Sequence, residues 1–324
     1  MTMRSAGRAR PPSPPYAPSD APSLSVTTPQ WFDWAVNADV DSHYVEHDGC
    51  RIHYLRWASE HDESTAAGIV FLHGGGAHAN WWRFIAPFLT SSGPTIAMDL
   101  SGMGDSGHRE TYSATIRAGE IQAVLHDAGF FEPGRKPPYI VGHSFGGLTA
   151  MRYASLYGER LGGFVIADAP VRPPDVEAKA FNARPEGVPP NRLYGSFEDA
   201  LVRFRLRPKQ SCENDFIVEW IARHSIRKVE GGWSWKFDPR ALGRSRHAEP
   251  FRDYLGKIGC RSVVMYGDKS ELSTPDTVDY MTQLLAPRTP VIAVPQGQHH
   301  LFLDEPLACV TAVRVVLDMW DRQR

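Results

Sequence analysis

The sequence predicts an α/β protein: a mostly parallel sheet with helices on both faces, interrupted once by an inserted segment of different character. Three observations carry that expectation. Short continuous apolar runs, Ile69 to Leu72, Thr95 to Met98, Tyr139 to Gly142, Phe164 to Ala167, Ser262 to Tyr266 and Pro290 to Val294, read as strands buried on both faces. Between them lie segments whose apolar residues recur at helical spacing, such as Ile121, Val124, Leu125 and Ala128, closed by Gly129. From Ala169 to about Pro250 this alternation stops, prolines cluster, and helical stretches (Phe197 to Leu206, Phe216 to His224) precede the aromatic run Gly232 to Pro239.

The totals bound the function. With 324 residues, 42% of them apolar, the chain can bury the core of one large domain plus an insertion. A net charge of −2 gives no global attraction to nucleic acid or to an anionic membrane. The four cysteines, Cys50, Cys212, Cys260 and Cys309, lack C-x-x-C spacing, which argues against a zinc site or a disulfide framework and fits a reduced, cytoplasmic setting. No apolar run approaches a membrane span, and the N-terminus lacks the apolar core of a secretory signal.

Taken in order, residues 1–30 form a leader rich in Pro, Ser, Ala and Arg, a composition that reads as disordered. Tyr44 to Glu46 and Arg51 to Trp57, parted by Asp48-Gly49, form an antiparallel hairpin. The strand Ile69 to Leu72 runs into His73-Gly74-Gly75-Gly76, whose unobstructed backbone N–H groups are the donor array that stabilises an oxyanion. Trp81 and Trp82 follow as candidates for a pocket wall. Asp99 to Gly107 alternates glycine with short polar residues, so Asp99 and Asp105 are expected to hold a tight turn.

Next comes Gly142-His143-Ser144-Phe145-Gly146, a G-x-S-x-G between strand and helix. A tight strand-to-helix turn pushes the serine hydroxyl clear of the backbone, and the following helix aims its free N–H groups at any developing anion. In the insertion, Arg203, Arg205, Arg207 and Lys209 read as a solvated face, and Trp233 as a candidate for an apolar underside. The core then resumes. Thr274 as N-cap with Pro275 behind it starts a helix after the acid-bearing loop Gly267 to Ser273, and the last strand leads to His299-His300.

The succession LHGGG, DLSGMGDSG, VGHSFGG, GDKSEL and HHLFLDEP resembles the α/β-hydrolase superfamily, in its capped subgroup of esterases, lactonases and C–C bond hydrolases. The resemblance runs from about residue 42 to the end, the insertion excepted. It implies a hydrolase core at 31–170 and 250–324 and a mainly helical cap at 171–249. It also implies Ser144 as nucleophile and an oxyanion hole from the backbone N–H groups of Gly75 and Phe145, with Gly76 adjoining. His299 matches the family's histidine, five residues before Asp304 and seven before Pro306, whereas His300 does not. Where the commonest pattern has an aspartate, this chain has Ser270, so the acid falls to Glu271, with Asp268 the close alternative and Asp168 a more distant one. Substrate contacts are expected from Trp81, Trp82, His143 and Trp233.

The expected chemistry is cleavage of a small carboxylic ester or lactone through an acyl-enzyme, with no metal or organic cofactor. The histidines His73, His78, His143, His299 and His300 show no zinc spacing. C–C bond hydrolysis and thioester hydrolysis remain open on the same residues. A non-catalytic ligand-binding protein is the alternative from another class.

Overall fold

The computed structural model describes residue 24 and residues 26–59, 65–182, 189–243 and 249–323. Residues 1–23 and 25 of the expected leader lie outside the described residues. Its end departs from expectation: Leu24 and Val26 pack against the core, and Gln30 already opens a helix, α1 (Gln30–Val36). Phe32, Ala35 and Val36 are buried there, a helical spacing too short to stand out beside the proline-rich text.

The hairpin forms as expected from β1 (Asp41–His47) and β2 (Cys50–Trp57), in register from Asp41 opposite Arg56 to His47 opposite Cys50. Asp48 and Gly49 turn it at φ of 45° and 70°, the two positive values that a two-residue type I′ turn requires. The βα rhythm follows: β3 (Ile69–Leu72), β4 (Thr95–Met98), α2 (Ala114–Asp127), β5 (Tyr139–His143), α3 (Phe145–Tyr157) and β6 (Gly163–Ala167). The insertion holds α4 (Pro174–Asn182), α5 (Phe197–Leu201), α6 (Asp215–His224), β7 (Ile226–Val229) and β8 (Gly232–Trp235). Then come α7 (Phe251–Leu255), β9 (Ser262–Gly267), α8 (Pro275–Leu284), β10 (Val291–Val294), α9 (Leu301–Asp304) and α10 (Pro306–Arg322). The Thr274 hydroxyl caps α8 by accepting from Thr277 N–H.

Eight strands form one sheet in the order β1-β2-β4-β3-β5-β6-β9-β10. Only the β1–β2 and β2–β4 pairings are antiparallel. Successive residues point to opposite faces, so Ile69 and Phe71 join one apolar layer while Val70 and Leu72 join the other. Phe84, Leu301, Val313 and Leu317 fill the first layer; Ile121, Leu125, Met151 and Met281 fill the second. Each such side chain gains about 1.5–3 kcal/mol on leaving water. Because β3, β5, β6, β9 and β10 run parallel, the loops after them open on one edge of the sheet, where ligands of open α/β sheets collect.

The insertion is mainly helical, as expected, but it also carries a strand pair. β7 and β8 pair as an antiparallel hairpin from Ile226 opposite Trp235 to Val229 opposite Gly232. The glycine pair Gly231-Gly232 makes the turn, and aromatic residues suit a half-buried strand better than a helix. α5 also stops at Leu201, short of Leu206. The insertion is fastened to the turn after β4: Gly104 N–H donates to Lys236 O and Asp238 N–H to Gly102 O, both at 2.7 Å, and the Lys236 ammonium pairs with Asp105.

Candidate active site

Ser144 sits between β5 and α3 at φ 51° and ψ −119°. Positive φ in a residue bearing a Cβ costs on the order of 1–3 kcal/mol, so the surroundings must impose it. They do so by hydrogen bonds from Ser144 N–H to Ala167 O (2.9 Å) and from Leu148 N–H to Ser144 O (3.0 Å), and by close backbone approach. A Cβ on Gly146 would lie 2.5 Å from Leu72 O and 2.6 Å from His73 O, and one on Gly147 would lie 2.5 Å from the Ala169 Cβ. The motif's glycines are thus needed so that the elbow can nest against β3 and β6.

The His299 ring bridges two groups. Its Nε2 is 2.9 Å from the Ser144 Oγ and its Nδ1 is 2.8 Å from the Asp168 Oδ1. A carboxylate can only accept, so the proton belongs on Nδ1, leaving the Nε2 lone pair facing the serine hydroxyl. His299 is 4% exposed and Asp168 1%, so this chain of bonds is largely shielded from water. The histidine loop comes this close because β9 ends in Gly267, where a Cβ would collide with the carbonyls of Gly297 and Gln298.

The acid differs from the expected one. Glu271 and Asp268 are both exposed, and the carboxylate that meets His299 is Asp168, at the end of β6. Its Oδ1 also accepts from the hydroxyls of Ser270 (2.9 Å) and Ser273 (3.0 Å), and its Oδ2 accepts from Gly267 N–H (3.1 Å). The reason is local. Ser270 occupies the slot after β9 where an aspartate is commonest, and there it donates to a carboxylate supplied by the neighbouring strand. Four donors around one buried carboxylate fix its position. The signal was present in the text as an aspartate directly after the apolar run Phe164 to Ala167, coupled to a serine in the usual acid position.

The glycine loop after β3 lies against the serine: a Cβ on Gly74 would sit 3.5 Å from the Ser144 Cβ. Gly76, at φ 75°, turns the loop beneath Phe237 and Leu242 of the insertion. Asp99 anchors the far end by accepting from Ala79 N–H at 2.5 Å, and its other oxygen takes Asp105 N–H (2.9 Å) and His53 Nδ1–H (2.6 Å). The structural role expected of Asp99 and its turn is thereby met. His73 donates from Nδ1 to Gly74 O (2.8 Å) and accepts Leu100 N–H at Nε2 (3.1 Å). His78 reaches Ser225 of the insertion through Nε2 at 2.9 Å.

Among the residues expected to touch substrate, three are placed otherwise. His143 is buried, and its Nε2 donates to His299 O at 2.8 Å, so it supports the histidine loop from beneath. Burial, reinforced by the neighbouring His299, pushes its pKa down to about 3 and keeps it neutral. Trp82 belongs to the core, its ring 4.6 Å from Phe71 and 4.8 Å from Phe302. Trp233 packs on Phe197 at 5.3 Å and bridges to Tyr194 within the insertion. Trp81 lies beside the histidine loop, its ring 5.4 Å from that of His300.

Two clusters among the described residues have the donor types of a metal site. His143, His299 and His300, far apart in the sequence or adjacent without ligand spacing, each bring a ring nitrogen to within 4.8 Å of the others. His53, Asp99 and Asp105 do likewise, but there the hydrogen bonds of the β4 turn already engage Asp99 and His53, the latter also meeting Ser42 Oγ at 3.0 Å. No helix among the described residues is long and apolar enough to cross a membrane.

This architecture has known counterparts. The esterase Rv0045c of Mycobacterium tuberculosis is 28% identical over 271 residues, covering 82% of this chain and 85% of the relative. Its crystal structure superposes with a TM-score of 0.68 at 25% identity, covering 89% of this chain and 95% of that one. The crystal structure of E-2-(acetamidomethylene)succinate hydrolase gives a TM-score of 0.69 over 86% of this chain and 100% of that one, and at 18% identity it speaks to the fold alone. The sequence profile of the alpha/beta hydrolase family matches residues 69–312, three quarters of the length and every element of the site, and the chain belongs to that family.

Proposed function

We propose that the protein is a serine hydrolase that cleaves a small-molecule carboxylic ester or lactone through an acyl-enzyme, with Ser144, His299 and Asp168 as its triad. The observation that carries this reading is the unbroken chain Ser144 Oγ, His299 Nε2, His299 Nδ1, Asp168 Oδ1, with links of 2.9 and 2.8 Å. In this reading His299 takes the Ser144 proton as the hydroxyl attacks the ester carbonyl, and Asp168 stabilises the imidazolium and holds the tautomer. The backbone N–H groups of Gly75 and Phe145 receive the oxyanion, Gly76 giving the loop its turn; each such donor is typically worth on the order of 3 kcal/mol. His299 then returns the proton to the leaving alcohol, and water repeats the cycle to free the acid.

Several features support the reading. The Ser144 conformation is strained where a nucleophile gains from exposure, and the relative named above is an esterase. The insertion over the sheet edge acts as a cap, with Phe237 and Leu242 above Gly76 and Trp81 beside His300 as the first apolar surfaces a substrate meets. This chemistry needs no metal or organic cofactor. The four free cysteines suit a reducing cytoplasmic compartment.

The test is a panel of p-nitrophenyl esters, lactones, acyl thioesters and vinylogous diketones given to the purified protein, with Ser144→Ala as control. Ester or lactone turnover that vanishes in Ser144→Ala is expected. Preferred scission of a C–C bond or thioester would move the activity within the family, and no turnover of any class would favour the ligand-binding alternative.

A further inference from the structure

The loop that carries His299 is pinned by three hydrogen bonds to its backbone. Gln298 N–H donates to Asp304 Oδ2 at 2.7 Å, His299 O accepts from His143 Nε2 at 2.8 Å, and His300 N–H donates to Gln210 Oε1 at 2.9 Å. The first two pins come from the core. The third comes from the insertion, from a strap after α5 that runs along the histidine loop.

Gln210 does more than accept one bond. Its Nε2 donates to both carboxylate oxygens of Asp304, at 3.0 and 3.1 Å, so one amide side chain holds both His300 N–H and the carboxylate that pins Gln298 N–H. The strap follows the loop for four more residues. Ser211 O accepts from Gln298 Nε2 at 2.9 Å, and Asn214 Nδ2 donates to the carbonyls of Leu303 (2.8 Å) and Asp304 (3.0 Å). Amide and carbonyl pairs of this kind fix direction as well as distance.

We infer that Gln210 is a positioning residue through which the seating of the insertion sets the aim of the catalytic imidazole. The inference rests on the triad reading given above. With the strap seated, Gln298 N–H and the peptide group after His299 are held and Nε2 faces Ser144. With it lifted, His300 N–H loses its acceptor, Asp304 loses the amide that meets both its oxygens, and the imidazole is left to the two core pins. Displacing a catalytic group by about 1 Å costs on the order of 100-fold in rate, so this coupling ties turnover to the closed insertion. A bound substrate that draws the insertion down would thereby complete its own catalyst, a means of favouring the ester that fits.

The experiment compares wild type with Gln210→Met, which keeps the side-chain volume but makes none of the three bonds, and with Arg203→Ala, an exposed change elsewhere in the insertion. For Gln210→Met the inference expects kcat on the best ester of the panel to fall about 10- to 100-fold with KM changed less than about threefold. The rate of modification by a fluorophosphonate should fall by the same factor, and Arg203→Ala should match wild type in both. A role confined to holding the insertion in place would raise KM and leave kcat and the modification rate unchanged, and that result overturns the inference. Amide hydrogen exchange across 298–304, read by mass spectrometry, is independent of turnover. It should quicken in Gln210→Met, and unchanged exchange also overturns the inference. If wild type neither turns over nor reacts while exchange responds as expected, the hydrolase reading fails and the mechanical coupling stands.

Discussion

Replacing Asp168 with asparagine separates the acid found in the structure from the acid that the sequence pattern favours. The Asp168 Oδ1 receives three donors, His299 Nδ1 and the hydroxyls of Ser270 and Ser273, and Oδ2 receives Gly267 N–H. An asparagine with its oxygen at Oδ1 keeps His299 in register but loses the negative charge and sets its NH2 against Gly267 N–H. Turned the other way, its NH2 faces His299 Nδ1 and forces the proton onto Nε2, where the ring can no longer accept from Ser144. In serine triads that tautomer error lowers kcat about 10⁴-fold, close to 5 kcal/mol of transition-state stabilisation. Losing only the charge, which roughly halves the strength of the hydrogen bond, gives less. We therefore expect Asp168→Asn to lower kcat 10³- to 10⁴-fold on the best p-nitrophenyl ester, with a stability loss of about 1–3 kcal/mol in urea unfolding from the mismatched donors. Glu271→Gln and Asp268→Asn, both at exposed positions, should stay within about threefold of wild type. Asp168→Asn keeping a tenth of wild-type kcat, or Glu271→Gln losing orders of magnitude, would refute the assignment.

Other outcomes follow from the same geometry. Gly146→Ala puts a methyl group 2.5 Å from Leu72 O, so it should cost about 1–3 kcal/mol in urea unfolding and lower kcat as the elbow shifts; a variant equal to wild type in both would show that the close approach is not needed. Acid should weaken the fold through its buried histidines. Burial holds the pKa of His143 down to about 3 and that of His224 to about 4, so each contributes stability above pH 6.5 that is lost as pH falls toward the folded value. At pH 5 each loses about 2 kcal/mol at most, and urea unfolding free energies should fall between pH 7 and 5, whereas a flat or rising profile would contradict the burial argument. Ser270→Ala removes one of the donors to Asp168 and should lower kcat by roughly 3- to 30-fold; an unchanged kcat would mean that the hydroxyl does not support the carboxylate.

Much of the fold was legible because its signals are local. The strands announced themselves as short β-branched runs, the hairpin by Asp48-Gly49 and the start of α8 by Thr274-Pro275. The corner at Ser144 was legible for the same reason, since strand end, serine and following helix lie within one stretch. The acid was not, because which carboxylate reaches His299 depends on how β6 and β9 lie side by side, and the exchange of an aspartate for Ser270 shows only when the hydroxyl is seen donating across to Asp168. His143 and Trp82 are buried on similar grounds: nearness to the motif in the text does not say which way a ring points, and both pack inward. The aromatic run Gly232 to Pro239 continues no strand-helix rhythm, yet Gly231-Gly232 beside alternating tryptophans carries a strand signal, and the β7–β8 hairpin forms there.

The central claim is that the Ser144 hydroxyl is made reactive by the imidazole 2.9 Å away. Its most direct measurement is fluorophosphonate modification of wild type, Ser144→Ala and His299→Ala, followed by mass spectrometry of tryptic peptides. The account predicts one adduct, on the peptide bearing Ser144, absent in Ser144→Ala and formed at least about 10³ times more slowly in His299→Ala. An adduct on another residue, or modification of His299→Ala at the wild-type rate, would contradict it.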